Sequence, residues 1–97
     1  MEDKKIMELI QRRRLQILVH SCIYYRFDSN IIEDSTFDKW CNELIRLQKD
    51  YPELADKVVY AKEFKKLTHA SGFDLPFNDP LVVSKAIYLL RLRGLIS

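Results

Sequence analysis

From Lys4 to Phe27 the chain runs without a glycine or a proline, and Ile6, Leu9, Ile10, Ile17, Val19, Cys22, Ile23 and Phe27 fall near three- and four-residue steps. That period over that length predicts one long helix. Such a helix is stable in water chiefly by burying its apolar stripe, so the rest of the chain must supply partners for it. With only two glycines and three prolines among 97 residues, the places where the backbone can break are few. Those places fix the remaining elements.

Asp28, Ser29 and Asn30 form a turn-prone break. After Ile31, Ile32 and Glu33 comes a start signal, Asp34-Ser35-Thr36. A side-chain oxygen of Asp34 or Ser35 is expected to accept a bond from an unpaired first-turn N–H, and Asp34 or Asp38 interacts favourably with the helix dipole. The second helix carries Phe37, Trp40, Cys41, Leu44, Ile45 and Leu47 as its buried stripe and ends where Tyr51 precedes Pro52. Residues from about Leu54 to Leu67 read as a third helix, although Val58-Val59-Tyr60 would also suit a strand. Thr68 to Asn78 is a loop with apolar anchors Phe73, Leu75 and Phe77, placed either to pack over a site or to plug the core. Asp79-Pro80 starts a last helix, Pro80 to Arg93, that buries Leu81, Val82, Ala86, Ile87, Leu89 and Leu90 before Gly94 stops it. The expected fold is all-α, about four helices in a single domain spanning residues 1–97.

The chain is 47% hydrophobic and 31% charged, which suits a packed globular protein and not a disordered one. Sixteen basic against fourteen acidic residues give a net charge of +2, short of the basic excess usual in a duplex binder, so nucleic acid is not the expected partner. Cys22 and Cys41 lie in helical stretches without metal-ligand spacing and are read as buried free thiols. The N-terminus is charged and no apolar run reaches about 18 residues, so a cytoplasmic protein is expected, with no membrane partner. A monomer and a homo-oligomer are both left open.

Chemistry concentrates between His20 and Asp38. Tyr24 and Tyr25 are adjacent aromatic rings, and Asp34 and Asp38 lie one helical turn apart on one face. Alternative roles stand beside each: the tyrosines as rim aromatics of the core, the aspartates as helix caps, and His20 as a structural histidine. Of Arg12-Arg13-Arg14, at least one must face solvent, while Arg13 or Arg14 is suited to receive a diphosphate through its planar guanidinium. Glu33, Asp34 and Asp38 lack a ligand from a third element, so no metal site is expected. No nucleophile and base can be paired, because the other histidine, His69, falls in the loop.

The order His20, three residues, Tyr24-Tyr25, a turn, Asp34, two residues, Phe37-Asp38, a helix and Tyr51-Pro52-Glu53-Leu54 resembles the N-terminal Ia domain of bacterial NAD-dependent DNA ligases. The resemblance covers about residues 9–54; residues 55–97 add helices and a loop outside it. In that family the segment is a helical hairpin that holds the nicotinamide mononucleotide (NMN) half of NAD during self-adenylylation. The resemblance implies that Tyr24 and Phe37 lie on either side of the nicotinamide ring, each contact contributing about 0.5–2 kcal/mol once water is excluded. It implies that Tyr25 sits near the phosphate or ribose, and that Asp34 and Asp38 accept hydrogen bonds from the carboxamide or ribose hydroxyls. His20 would reach a phosphate from the same helical face as Tyr24.

Two departures matter. Phe37 stands where the family usually has tyrosine, keeping the ring face and losing a hydroxyl. The family's K-x-D-G lysine motif is absent, since Lys4-Lys5 and Lys65-Lys66 lack the glycine, and 97 residues leave no room for a nucleotidyltransferase core. The expectation is therefore a non-catalytic binder of NMN, NAD or an NAD-derived ADP-ribose signal, with no cofactor required and the NAD-type nucleotide as its ligand. Small stand-alone proteins of this ligase-like kind are similar to ones encoded in bacteriophage genomes; for a phage product, the expected role is sequestration of a host immune nucleotide in the host cytoplasm. The alternatives are an interaction module that imitates domain Ia to modulate a host ligase or replication protein, and DNA binding through Arg12–Arg14 and the lysine pairs.

Overall fold

The computed structural model describes residues 2–65 and 76–96. Helix α1 occupies Glu2–Tyr25, α2 Asp34–Asp50, α3 Pro52–Asp56, α4 Ala61–Phe64 and α5 Pro80–Leu92, and no strand occurs among the described residues. The all-α expectation holds, with five helices among the described residues where about four were expected. α1 is the central element and packs against α2, α3 and α5. Its Ile10, Ile17, Leu18, Cys22 and Ile23 share one core with Leu44 of α2, Phe64 of α4 and Val82, Ala86 and Leu90 of α5. Each large apolar side chain so buried contributes about 1.5–3 kcal/mol. Leu81 departs from expectation: the buried stripe of α5 steps by four through Val82, Ala86 and Leu90, which turns Leu81 out to solvent.

The helix expected from Leu54 to Leu67 is broken at Lys57–Tyr60, and its last residues, Lys66 and Leu67, lie outside the described residues. The cause is Arg14. Only 1% exposed, it reaches from α1 to donate from one terminal nitrogen to the carbonyls of Ala55, Val58 and Val59 at 3.0, 3.1 and 3.2 Å. Its Nε and other terminal nitrogen donate to Gln48 Oε1 at 3.0 and 2.8 Å, and Gln48 Nε2 in turn donates to the Phe64 carbonyl at 3.0 Å. A buried guanidinium satisfied in this way rewards backbone carbonyls that a continuing helix would have kept for itself. The β-branched pair Val58-Val59 resists the break least, and Tyr60 completes the turn at φ 68°, in the left-handed region. Burial disfavours the Arg14 charge, and Asp56 and Glu63 offset part of that effect.

The helix ends largely follow the sequence signals. Asp79 caps α5 by accepting from the Leu81 N–H at 3.0 Å. Beyond α5, Gly94 at φ 69° closes a pair of bonds, Gly94 N–H to Arg91 O and Leu95 N–H to Leu90 O, both 3.0 Å. The start of α2 differs from expectation. Glu33 is its cap residue and no side chain caps it, so neither Asp34 nor Ser35 accepts the first-turn N–H expected of it. After α1, Asp28 takes a left-handed φ of 51°, and the Ser29 N–H donates to the Ile23 carbonyl at 3.0 Å, which turns the chain back towards α2.

Candidate functional site

The reversal between α1 and α2 encloses a cavity of about 170 Å³. The last turns of α1 contribute His20, Ser21, Ile23, Tyr24 and Tyr25; the connection contributes Asn30, Ile31 and Ile32; the first turn of α2 contributes Asp34 and Phe37. Pockets that engulf a drug-sized ligand run to about 300–1,000 Å³, so this one suits a single ring with its substituents and not a whole dinucleotide.

Five of the residues singled out in the sequence meet there: His20, Tyr24, Tyr25, Asp34 and Phe37. Tyr24 and Tyr25 are 56% and 51% exposed and pack edge to face, their ring centroids 4.9 Å apart. Tyr25 is braced from behind by Phe77, 5.4 Å away and tilted by 31°, while Arg26 donates to Asn78 Oδ1 at 2.9 Å. The segment before α5 thus buttresses one wall of the cavity. Ser71, Gly72, Phe73, Leu75 and His69 lie outside the described residues, and with them most of the loop considered as a lid.

Asp38, Arg13 and Arg14 are not brought to the cavity. Asp38 lies a turn further along α2, where its charge, after burial, helps push the Cys41 thiol up to about 11. Arg13 donates to Gln16 Oε1 at 2.7 Å, and its Nε lies 3.4 Å from Glu43 Oε2. Arg14 is spent inside the core. His20 packs its ring against Trp40, centroids 5.2 Å apart, and burial followed by the Arg93 charge lowers its pKa below the ordinary 6.5. Burial thus favours its neutral form, and Asp34 is the only acidic side chain on the cavity wall among the described residues.

Ser21 escaped the sequence analysis. It is 1% exposed, lines the cavity, and its hydroxyl finds no partner among the described residues. A buried unpaired hydroxyl beside a site is costly, which sets Ser21 apart from the other wall residues. The signal was present in the sequence as the one small polar side chain set between His20 and Cys22 in an otherwise apolar stretch. In the sequence Asn30 belongs to the turn-prone break and Ile31 and Ile32 merely precede the start of α2; chain reversal is what makes all three a wall.

The described residues thus form a helical hairpin whose reversal closes an aromatic cavity with the Asp34 carboxylate on its wall. Residues 3–57 match the family described as DNA ligase-like, N-terminal NAD+-binding domain, and the chain belongs to that family. It is 40% identical over 53 residues to the DNA ligase of Thermosipho africanus, covering 55% of this chain and 8% of that ligase. It is 39% identical over 51 residues to the DNA ligase of Petrotoga mobilis (53% of this chain, 8% of the ligase) and 37% identical over 51 residues to that of Thermotoga petrophila (53% and 7%). The chain thus spans less than a tenth of these relatives' length, and what it matches is their N-terminal domain. No solved structure matches it. No described helix is long and apolar enough to cross a membrane.

Proposed function

We propose that the cavity holds the nicotinamide ring of NMN or NAD and that the protein binds this nucleotide without converting it. The observation that carries the reading is the meeting, in one ring-sized space, of Tyr24, Phe37, the Asp34 carboxylate and the unpartnered Ser21 hydroxyl. Oxidised nicotinamide is flat and positively charged. Two aromatic faces favour such a ring, and a single carboxylate beside it complements its charge. The lack of a capping bond at the start of α2 supports the same role, since it leaves the Asp34 oxygens available to a ligand. The Ser21 hydroxyl is suited to the carboxamide. Held in this way, a nucleotide is withdrawn from the free pool, which is the form that sequestration of a host signal by a phage protein would take.

Calorimetric titration with NMN tests the reading directly. Binding is expected, with Tyr24→Ala weakening it about 2- to 30-fold. Reduced NMN, whose ring is uncharged, should bind more weakly than the oxidised form. Absence of heat with NMN and NAD at high micromolar concentration refutes the proposal. A second reading, in which the hairpin presents its aromatic face to a protein partner, draws on the half-exposed Tyr24 and Tyr25. It predicts that Tyr24→Ala abolishes capture of a host ligase or replication protein while NMN leaves the melting temperature unchanged.

A further inference from the structure

The face of α1 that carries His20 continues past the ring cavity into a second hollow. This groove, of about 300 Å³, lies between α1 and α5. Leu15, Val19 and Leu89 give it an apolar lining, Arg12, Lys85 and Tyr88 stand at its exposed edges, and His20 lines both this groove and the ring cavity. The only ion pair among the described residues joins Arg13 to Glu43, so Arg12 and Lys85 have no carboxylate partner there. Among the described residues no acidic side chain lines the groove.

We infer that the α1/α5 groove receives the adenosine diphosphate half of a dinucleotide whose nicotinamide occupies the neighbouring cavity. The inference rests on the proposed function above for the second half of that statement. Three observations carry it. The first is charge: an arginine and a lysine lining one groove, with no ion-pair partner and no acidic lining residue among the described residues, fit the two negative charges of a diphosphate, with the guanidinium able to take two phosphate oxygens at once. The second is Tyr88, 63% exposed beside an apolar lining, which presents a face on which a purine can stack. The third is continuity. Tyr24, His20, Gln16 and Arg12 follow one another at four-residue steps, so the two sites lie along about 18 Å of one helix with His20 as their common wall. A ligand that fills both sites must therefore extend past the ring cavity, as a dinucleotide does and a mononucleotide confined to that cavity does not.

Arg12 thereby takes the role that the sequence assigned to its neighbours, because Arg13 is engaged by Gln16 and Glu43 and Arg14 is buried. The groove also gives α5, which lies outside the matched residues 3–57, a part in recognition.

The test titrates NMN, NAD and ADP-ribose into the wild-type chain, Lys85→Ala and Tyr88→Ala. Both side chains are exposed, so the fold should be kept, which unchanged melting temperatures will verify. NAD should bind about tenfold more tightly than NMN, and each substitution should weaken NAD and ADP-ribose about tenfold while changing NMN less than about twofold. Equal affinities for NAD and NMN, or NAD binding indifferent to both substitutions, overturn the inference. The two proposals fail separately. NMN binding without ADP-ribose binding removes the groove and keeps the ring site; ADP-ribose binding sensitive to Lys85→Ala without NMN binding does the reverse. Silence from all three nucleotides removes both.

Discussion

Ser21 lies on the buried side of α1, 1% exposed, in the wall of the ring cavity, and its hydroxyl has no partner among the described residues. Ser21→Ala removes that hydroxyl and nothing else. In the free protein the substitution relieves a buried polar group that costs about 1–3 kcal/mol when unpaired. It also replaces serine by a better helix former, worth about 0.5 kcal/mol. Taking the lower end of the first figure, the gain is about 1.5 kcal/mol, or a rise of about 6–12 °C in melting temperature for a domain of this size. Binding should move the other way, since a neutral hydrogen bond to the carboxamide is worth about 0.5–1.5 kcal/mol, a loss of about 2- to 13-fold in NMN affinity. Thermal unfolding by circular dichroism and calorimetric titration on the same samples read both signs. A variant that melts lower and binds NMN as tightly as wild type refutes the reasoning, because it would mean that the hydroxyl is already satisfied within the fold.

Arg14→Met should cost about 3–5 kcal/mol in urea unfolding, because it leaves the Ala55, Val58 and Val59 carbonyls and Gln48 without their donor; a loss under about 1 kcal/mol would contradict the role given to that guanidinium. His20 titrates below the ordinary 6.5 in the fold, so at acid pH the unfolded chain binds the extra proton more readily, and stability should fall as pH drops through about 6.5. His20→Gln should flatten that part of the profile, and an unchanged slope would remove His20 as its source. Cys41, its thiol pushed up to about 11, and Cys22, also raised by burial, should alkylate slowly at pH 8 in the native protein and rapidly in urea. Fast native labelling would show that these thiols are accessible and ionised.

Much of the fold was legible because its signals are local. An unbroken helical period, Pro52 after Tyr51, the Asp79-Pro80 start and the Gly94 stop each act through the residue's own backbone or its immediate neighbours. The ring cavity was partly legible for a related reason: Tyr24 and Tyr25 end one helix, Asp34 and Phe37 begin the next, and a short reversal must bring them close. The buttress that Phe77 gives Tyr25 was not, since it joins residues 52 positions apart.

The amino-acid sequence by itself determined where most helices begin and end, which stripes they bury and which family the hairpin belongs to. Tertiary structure alone decided the fate of Arg12, Arg13 and Arg14, three identical side chains in a row. Helical spacing divides them among three directions but cannot say what waits in each. Arg12 meets the α5 groove, Arg13 meets Glu43, and Arg14 meets carbonyls up to 45 positions away, breaking the expected third helix in doing so. The physical reason is that a periodic pattern fixes orientation about a helix axis, whereas the partners of a long charged side chain are set by elements that arrive from elsewhere in the chain.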